Sequence, residues 1–150
     1  VNPYNIREAL LAKHAQHVVL IHFPIALCMA GVAFDFAARW TKRSALAVAA
    51  YYNFTVAAIF TVPVVATGLL AWQFQLEGQK LKGVLLQHLV LGIASSVMIC
   101  VIWYVHFRAR RREPEQTLPS YCLAMELFAV GLVAMTAHLG GYLSGVNIPS

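Results

Sequence analysis

The stretch 18–38, VVLIHFPIALCMAGVAFDFAA, is apolar throughout except for one formal charge, Asp35. A helix crosses a hydrocarbon core with about 20 mostly apolar residues, so this stretch reads as a membrane span. The same reading recurs three times downstream. Residues 44–76 and 83–107 show only Glu-free, Lys-free apolar sequence without formal charge, and residues 120–143 carry only Glu126. Spans are expected at about 17–39, 45–74, 83–107 and 120–143. In hydrocarbon each segment must satisfy its own backbone groups, and the short connections leave no room for a barrel. The expected fold is all-α: an integral membrane four-helix antiparallel bundle over residues 16–146, running up-down-up-down.

Composition agrees. The chain has 150 residues, 60% apolar and 11% charged, with a mean hydropathy of +0.68. Soluble domains carry about 25% charged residues. A soluble enzyme, a disordered chain and a nucleic-acid-binding module are excluded on that ground. Cys28, Cys100 and Cys122 lie within or beside the apolar stretches without CxxC or CxxCH spacing. That pattern argues against a disulfide framework, a thiolate zinc site and covalent c-type haem.

Ahead of the first span, residues 1–15 have the features of a short interfacial helix. Asn5 is a candidate cap with Glu8 three positions on, and Ile6 and Leu10 recur at helical spacing. Residues 108–119, with four Arg, two Glu and two Pro, read as a surface loop. An even number of spans puts both termini on one side with Arg7, Lys13, Lys80 and Lys82. Seven bases face them from the other side: Arg39, Lys42, Arg43, Arg108, Arg110, Arg111 and Arg112. Basic residues accumulate on the cytoplasmic side. The +5 net charge is thus read as orientation: a multi-pass protein of a bacterial inner membrane, both termini periplasmic.

This topology gathers the histidines. His14, His17, His22, His88 and His138 fall toward the outer end, on three helices, while His106 falls at the inner end. Ionisable groups inside a membrane are costly and mark function. Imidazole pairs from facing helices are the usual axial ligands of b-type haem in bundles, and small residues beside them leave room for a porphyrin. Gly92 and Ser95 follow His88, Ala26 and Ala30 follow His22, and Gly131 and Ala134 precede His138. His22, His88 and His138 are the leading ligands for haem iron, with Gly92 and Gly131 beside them. His17 is a fourth ligand if two haems are bound. His17 and His22 stand about 140° apart around a helix and cannot hold one haem from opposite sides. Another metal, or a cofactor-free histidine network or proton relay, stays open beside haem.

The inner end carries a second set, Asp35, Glu126 and His106. Asp35 stands four positions before Arg39, which suggests an i,i+4 ion pair. Glu126 is expected to pair with Arg39 or His106, or to serve a quinone or proton site. His106, about five turns and 27 Å of helical rise from His88, reads as a membrane-surface histidine.

The segment His17-Val-Val-Leu-Ile-His22-Phe23-Pro24-Ile25-Ala26-Leu27, followed by Asp35, resembles the first helix of a widespread family of four-helix bacterial membrane proteins of unknown function. That family's helix opens HP-x-x-VHFPIAL; here Val18 replaces the usual Pro. Ala66-Thr67-Gly68, His88 and His138-Leu139-Gly140-Gly141-Tyr142-Leu143 are also similar to it. The last resembles an H-x-GG-x-L stretch of membrane domains joined to c-type cytochromes. The resemblance implies electron transfer, with His17, His22, His88 and His138 as the family's histidines and any covalent haem on a partner chain. The expectation is a b-type cytochrome subunit. It would carry one or two bis-histidine haems near the periplasmic face and pass electrons between a periplasmic cytochrome c or redox complex and the quinone pool. A role as subunit of an oxidoreductase complex is expected, rather than that of an autonomous enzyme. The alternatives are a cofactor-free structural or assembly subunit and a quinone- or proton-handling membrane anchor.

Overall fold

The computed structural model describes residues 13–112 and 118–145, and these are helical apart from short connections. Four helices follow one another: α1 (Lys13–Thr41), α2 (Ser44–Gln75), α3 (Gly83–Arg112) and α4 (Ser120–Leu143). Each is long and apolar enough to cross a membrane. The four expected spans are therefore present.

Contact pairs show the helices to be antiparallel. Along α1, His17, Phe23 and Gly31 meet Thr67, Phe60 and Phe54 of α2, one number rising as the other falls. Thr61 with Cys100 and Phe54 with His106 join α2 to α3 in the same sense. His88 with Thr136 and His106 with Glu126 do so for α3 and α4. One end of the bundle collects the start of α1, the α2–α3 turn and the end of α4; it is called the terminal end below. The opposite end is rich in arginine.

Two boundaries bear on the sequence reading. Lys13, His14 and Ala15 are helical and run on into the candidate membrane span, which starts at Gln16, and residues 1–12 lie outside the described residues. At the other end α3 continues through Arg108 to Arg112 instead of giving way to loop. The next helix breaker in the sequence is Pro114, and arginine is a good helix former. Arg110, Arg111 and Arg112 complement the negative end of the helix dipole. Arg108 and Arg111 also lie over Tyr104 and Phe107, one turn back on the same helix. Between α1 and α2 only Lys42 and Arg43 intervene, and Lys42 takes φ 58° to make that reversal.

Packing is uneven along the bundle. The core joins Cys28 and Val32 of α1, Ala50, Phe54 and Ala57 of α2, Ile99 and Ile102 of α3, and Ala129 and Val133 of α4. Burial extends to Ala38 and Cys122, close to helix ends, on the arginine-rich side. On the terminal side it stops early. Among the described residues before Pro24, between Thr61 and Ser95, and after Val133, only Ala71 is buried.

Without a hydrophobic drive between helices in lipid, close approach at small residues decides which faces meet. Gly31 is such a point: a Cβ there would come 2.9 Å from the Phe54 ring, which is fully buried. Gly31→Val is expected to destabilise the bundle by about 1–3 kcal/mol through overpacking. A thermal melt in detergent measures it, and adding Phe54→Leu should restore part of the loss.

Candidate functional sites

At the arginine-rich end three helices bury ionisable groups together. α1 contributes Asp35 and Arg39, one turn apart, so the Arg39 Nε–H donates to Asp35 Oδ2 at 2.5 Å. Arg39 Nη1 donates to the carbonyls of Leu118 at 2.7 Å and Pro119 at 3.3 Å, tying the entry of α4 to α1. α3 contributes His106 and α4 contributes Glu126, with Nε2 and Oε1 2.7 Å apart. Asp35 is 3% exposed, His106 2% and Glu126 0%. One donor atom from each of these three lies within 4.8 Å of the others. Glu126 Oε2 and Arg39 Nη2 are buried and have no partner among the described residues.

Asp35 pairs with Arg39, as their spacing implies, and of the two partners expected for Glu126 it takes His106. The position of His106 itself is a correction. Expected at the membrane surface, it is buried, because α3 runs on to Arg112 and leaves it inside the helix. Its ring packs 4.8 Å from that of Phe54. Beside it, the space lined by Ile102, Val105, His106, Cys122, Met125 and Glu126 is too small for a water molecule.

At the terminal end the four candidate histidines divide into two kinds. His17 and His88 are half-buried, whereas His22 and His138 are exposed. His17 Nδ1 lies 3.2 Å from Thr67 Oγ1. The Thr67 hydroxyl already donates to Pro63 O at 2.7 Å and Val64 O at 3.1 Å. The imidazole N–H is therefore the donor to it. His88 Nδ1 donates to Thr136 O at 3.0 Å and His22 Nδ1 to Val18 O at 2.7 Å, since a carbonyl only accepts. In a neutral ring the basic nitrogen of all three is then Nε2.

Glycines on the facing helices hold the two inward rings. A Cβ at Gly68 would come 2.9 Å from His17 Cε1, and one at Gly140 would come 3.1 Å from His88 Cε1. Helical periodicity relates the two ends. From His17 to Asp35 along α1, and from His88 to His106 along α3, the chain makes about five turns. That is about 27 Å of rise, and it returns to the same face. Asp35 and His106 meet at the arginine-rich end, so His17 and His88 occupy matching depth on the corresponding faces of α1 and α3.

His138 does not share the face that His88 meets. Thr136 and Gly140, which touch His88, flank it two positions away on either side, about 200° around the helix. A Cβ added at Gly92 would lie 3.7 Å from Thr136, and one at Gly131 would meet nothing within 4 Å. Thr67, Gly68 and Gly140 lie in motifs that carry the family resemblance, but neither they nor Thr136 are among the site residues that the sequence points to. Spacing along one helix finds same-face neighbours, whereas these partners sit on the facing helix. Their signal is register: each is level with its histidine in an antiparallel pair. Among the described residues, the outer histidines form no group of three donors as close as the inner one.

Residues 13–146 match the model of a family described as predicted membrane protein, DUF2231. No curated protein matches the chain, and no solved structure does. The match spans all four helices, and the chain belongs to this family of predicted membrane proteins.

Proposed function

We propose that the chain is a membrane-embedded b-type cytochrome subunit, with haem iron held between two histidines at the terminal end. The observation that carries this reading is the disposition of His17 and His88: matched depth, corresponding faces, and Nδ1–H engaged by Thr67 and Thr136. Metal-ligating histidines characteristically give their other ring N–H to a carbonyl or similar acceptor, which fixes the tautomer and the ring plane. Gly68 and Gly140 let each ring lie close to a facing backbone.

In this reading His17 and His88 would hold the first haem. His22 and His138, exposed on α1 and α4, are the ligands of a second haem if one is bound. Gly92, near Thr136, lies beside the first site, and Gly131 is open toward the second. When bound, haem b would supply a one-electron carrier, and two histidine ligands would suit it to electron transfer. The chain's own part is to orient the rings, exclude water and surround the group with apolar helices. Electrons would pass between a periplasmic redox partner, a c-type cytochrome by preference, and the quinone pool or a larger complex. The membrane is a bacterial inner membrane, with both termini on the periplasmic side, on the strength of seven bases against four.

A pyridine haemochrome assay on protein purified from haem-supplemented cells is expected to show b-type haem. His17→Ala and His88→Ala should each abolish the first haem, and Gly140→Val should do so by displacing the His88 ring while the helical signal stays intact. No b-type haem in the wild type, or full retention in both histidine variants, contradicts the assignment. For orientation, a reporter fused after residue 150 should be active only if it is a periplasmic reporter, and one inserted within 113–117 only if it is cytoplasmic. The reverse pattern contradicts the topology.

A further inference from the structure

We infer that Asp35, His106 and Glu126 form a binding site for one divalent first-row transition ion at the arginine-rich end, zinc being the ion that fits the donor set. The site is independent of the histidines assigned to haem. Its starting point is burial. Asp35, His106 and Glu126 are ionisable donors held where exposure is at most 3%. Buried charge needs a partner with matching hydrogen bonds. Arg39 supplies one for Asp35, while Glu126 Oε2 is left with no partner among the described residues despite complete burial.

The geometry suits an ion. Three helices each contribute one donor, and the donor atoms lie within 4.8 Å of one another. Bonds of about 2.0–2.2 Å at the tetrahedral angle put the donors of zinc about 3.4 Å apart, so a shift of about 1 Å at each donor brings all three into range. One imidazole with two carboxylates selects a first-row transition ion. Calcium takes six to eight oxygens and magnesium an octahedron rich in water, and this site offers neither. Cys122 precedes Glu126 by one turn and lines the same space, which places a thiol next to the set. Binding replaces the proton shared between His106 and Glu126. That proton leaves to solvent as Nε2 and a carboxylate oxygen bond to the ion, and the second ring proton, on Nδ1, keeps the imidazole neutral.

Equilibrium dialysis of the chelator-treated, detergent-purified full chain against zinc alone tests this, with zinc-edge X-ray absorption on the loaded protein. The expected result is one zinc per chain with a nitrogen/oxygen first shell, about one proton released per ion, and affinity reduced at least tenfold in Glu126→Gln and in His106→Gln. The Glu77→Gln variant, altered at an exposed carboxylate of the α2–α3 turn, should bind as the wild type does. Absence of stoichiometric zinc in the wild type overturns the inference, whatever the variants do. So does wild-type affinity in a folded Glu126→Gln or His106→Gln protein, or loss of the zinc in Glu77→Gln.

Discussion

A polar side chain inside a hydrocarbon layer has no water to turn to, and the buried group around Arg39 shows how this chain meets that constraint. Arg39 engages Asp35 on its own helix and two carbonyls at the entry of α4. Glu126 and His106 complete the group from α4 and α3. Three helices are thus tied at one end by interactions that a lipid environment strengthens, since an unpaired partner there is costly. Phe54 covers His106 from α2, bringing in the fourth helix. The apolar core is continuous with this end, from Ile102 to Cys28, so polar ties and close packing occur together.

The terminal end is built differently. Side chains there are mostly half-buried or exposed, and the polar contacts involve imidazole rings against threonine and glycine. Haem in the terminal half and an ion in the arginine-rich half are separate proposals, and they draw on separate side chains. The five-turn repeat that relates His17 to Asp35 and His88 to His106 is what aligns the two ends of the same helix faces.

The fold was legible because hydrophobic spans announce themselves: four uncharged or nearly uncharged runs, each long enough to cross a bilayer, leave little choice of architecture. The Asp35–Arg39 pair was legible for the same local reason, one turn on one helix. What sequence alone obscured was the direction in which side chains face between helices. His106 near an arginine cluster looked superficial, yet continuation of α3 to Arg112 placed it in the interior. His22 and His138 stand out by their small-residue neighbours, yet their rings are exposed, and His17, the reserve ligand on spacing, is one of the two that lean inward on a facing glycine. Azimuth between helices depends on register, which emerges only when pairs such as Gly31 with Phe54 fix it.

The central claim is that two imidazoles, one from α1 and one from α3, hold a haem iron. Near-infrared magnetic circular dichroism of the oxidised, purified protein reads the axial ligands directly. The account predicts the charge-transfer band of bis-imidazole low-spin ferric haem, lost from the first haem in His17→Ala and in His88→Ala. A protein without haem, or a haem whose band reports any other ligand pair, would contradict it.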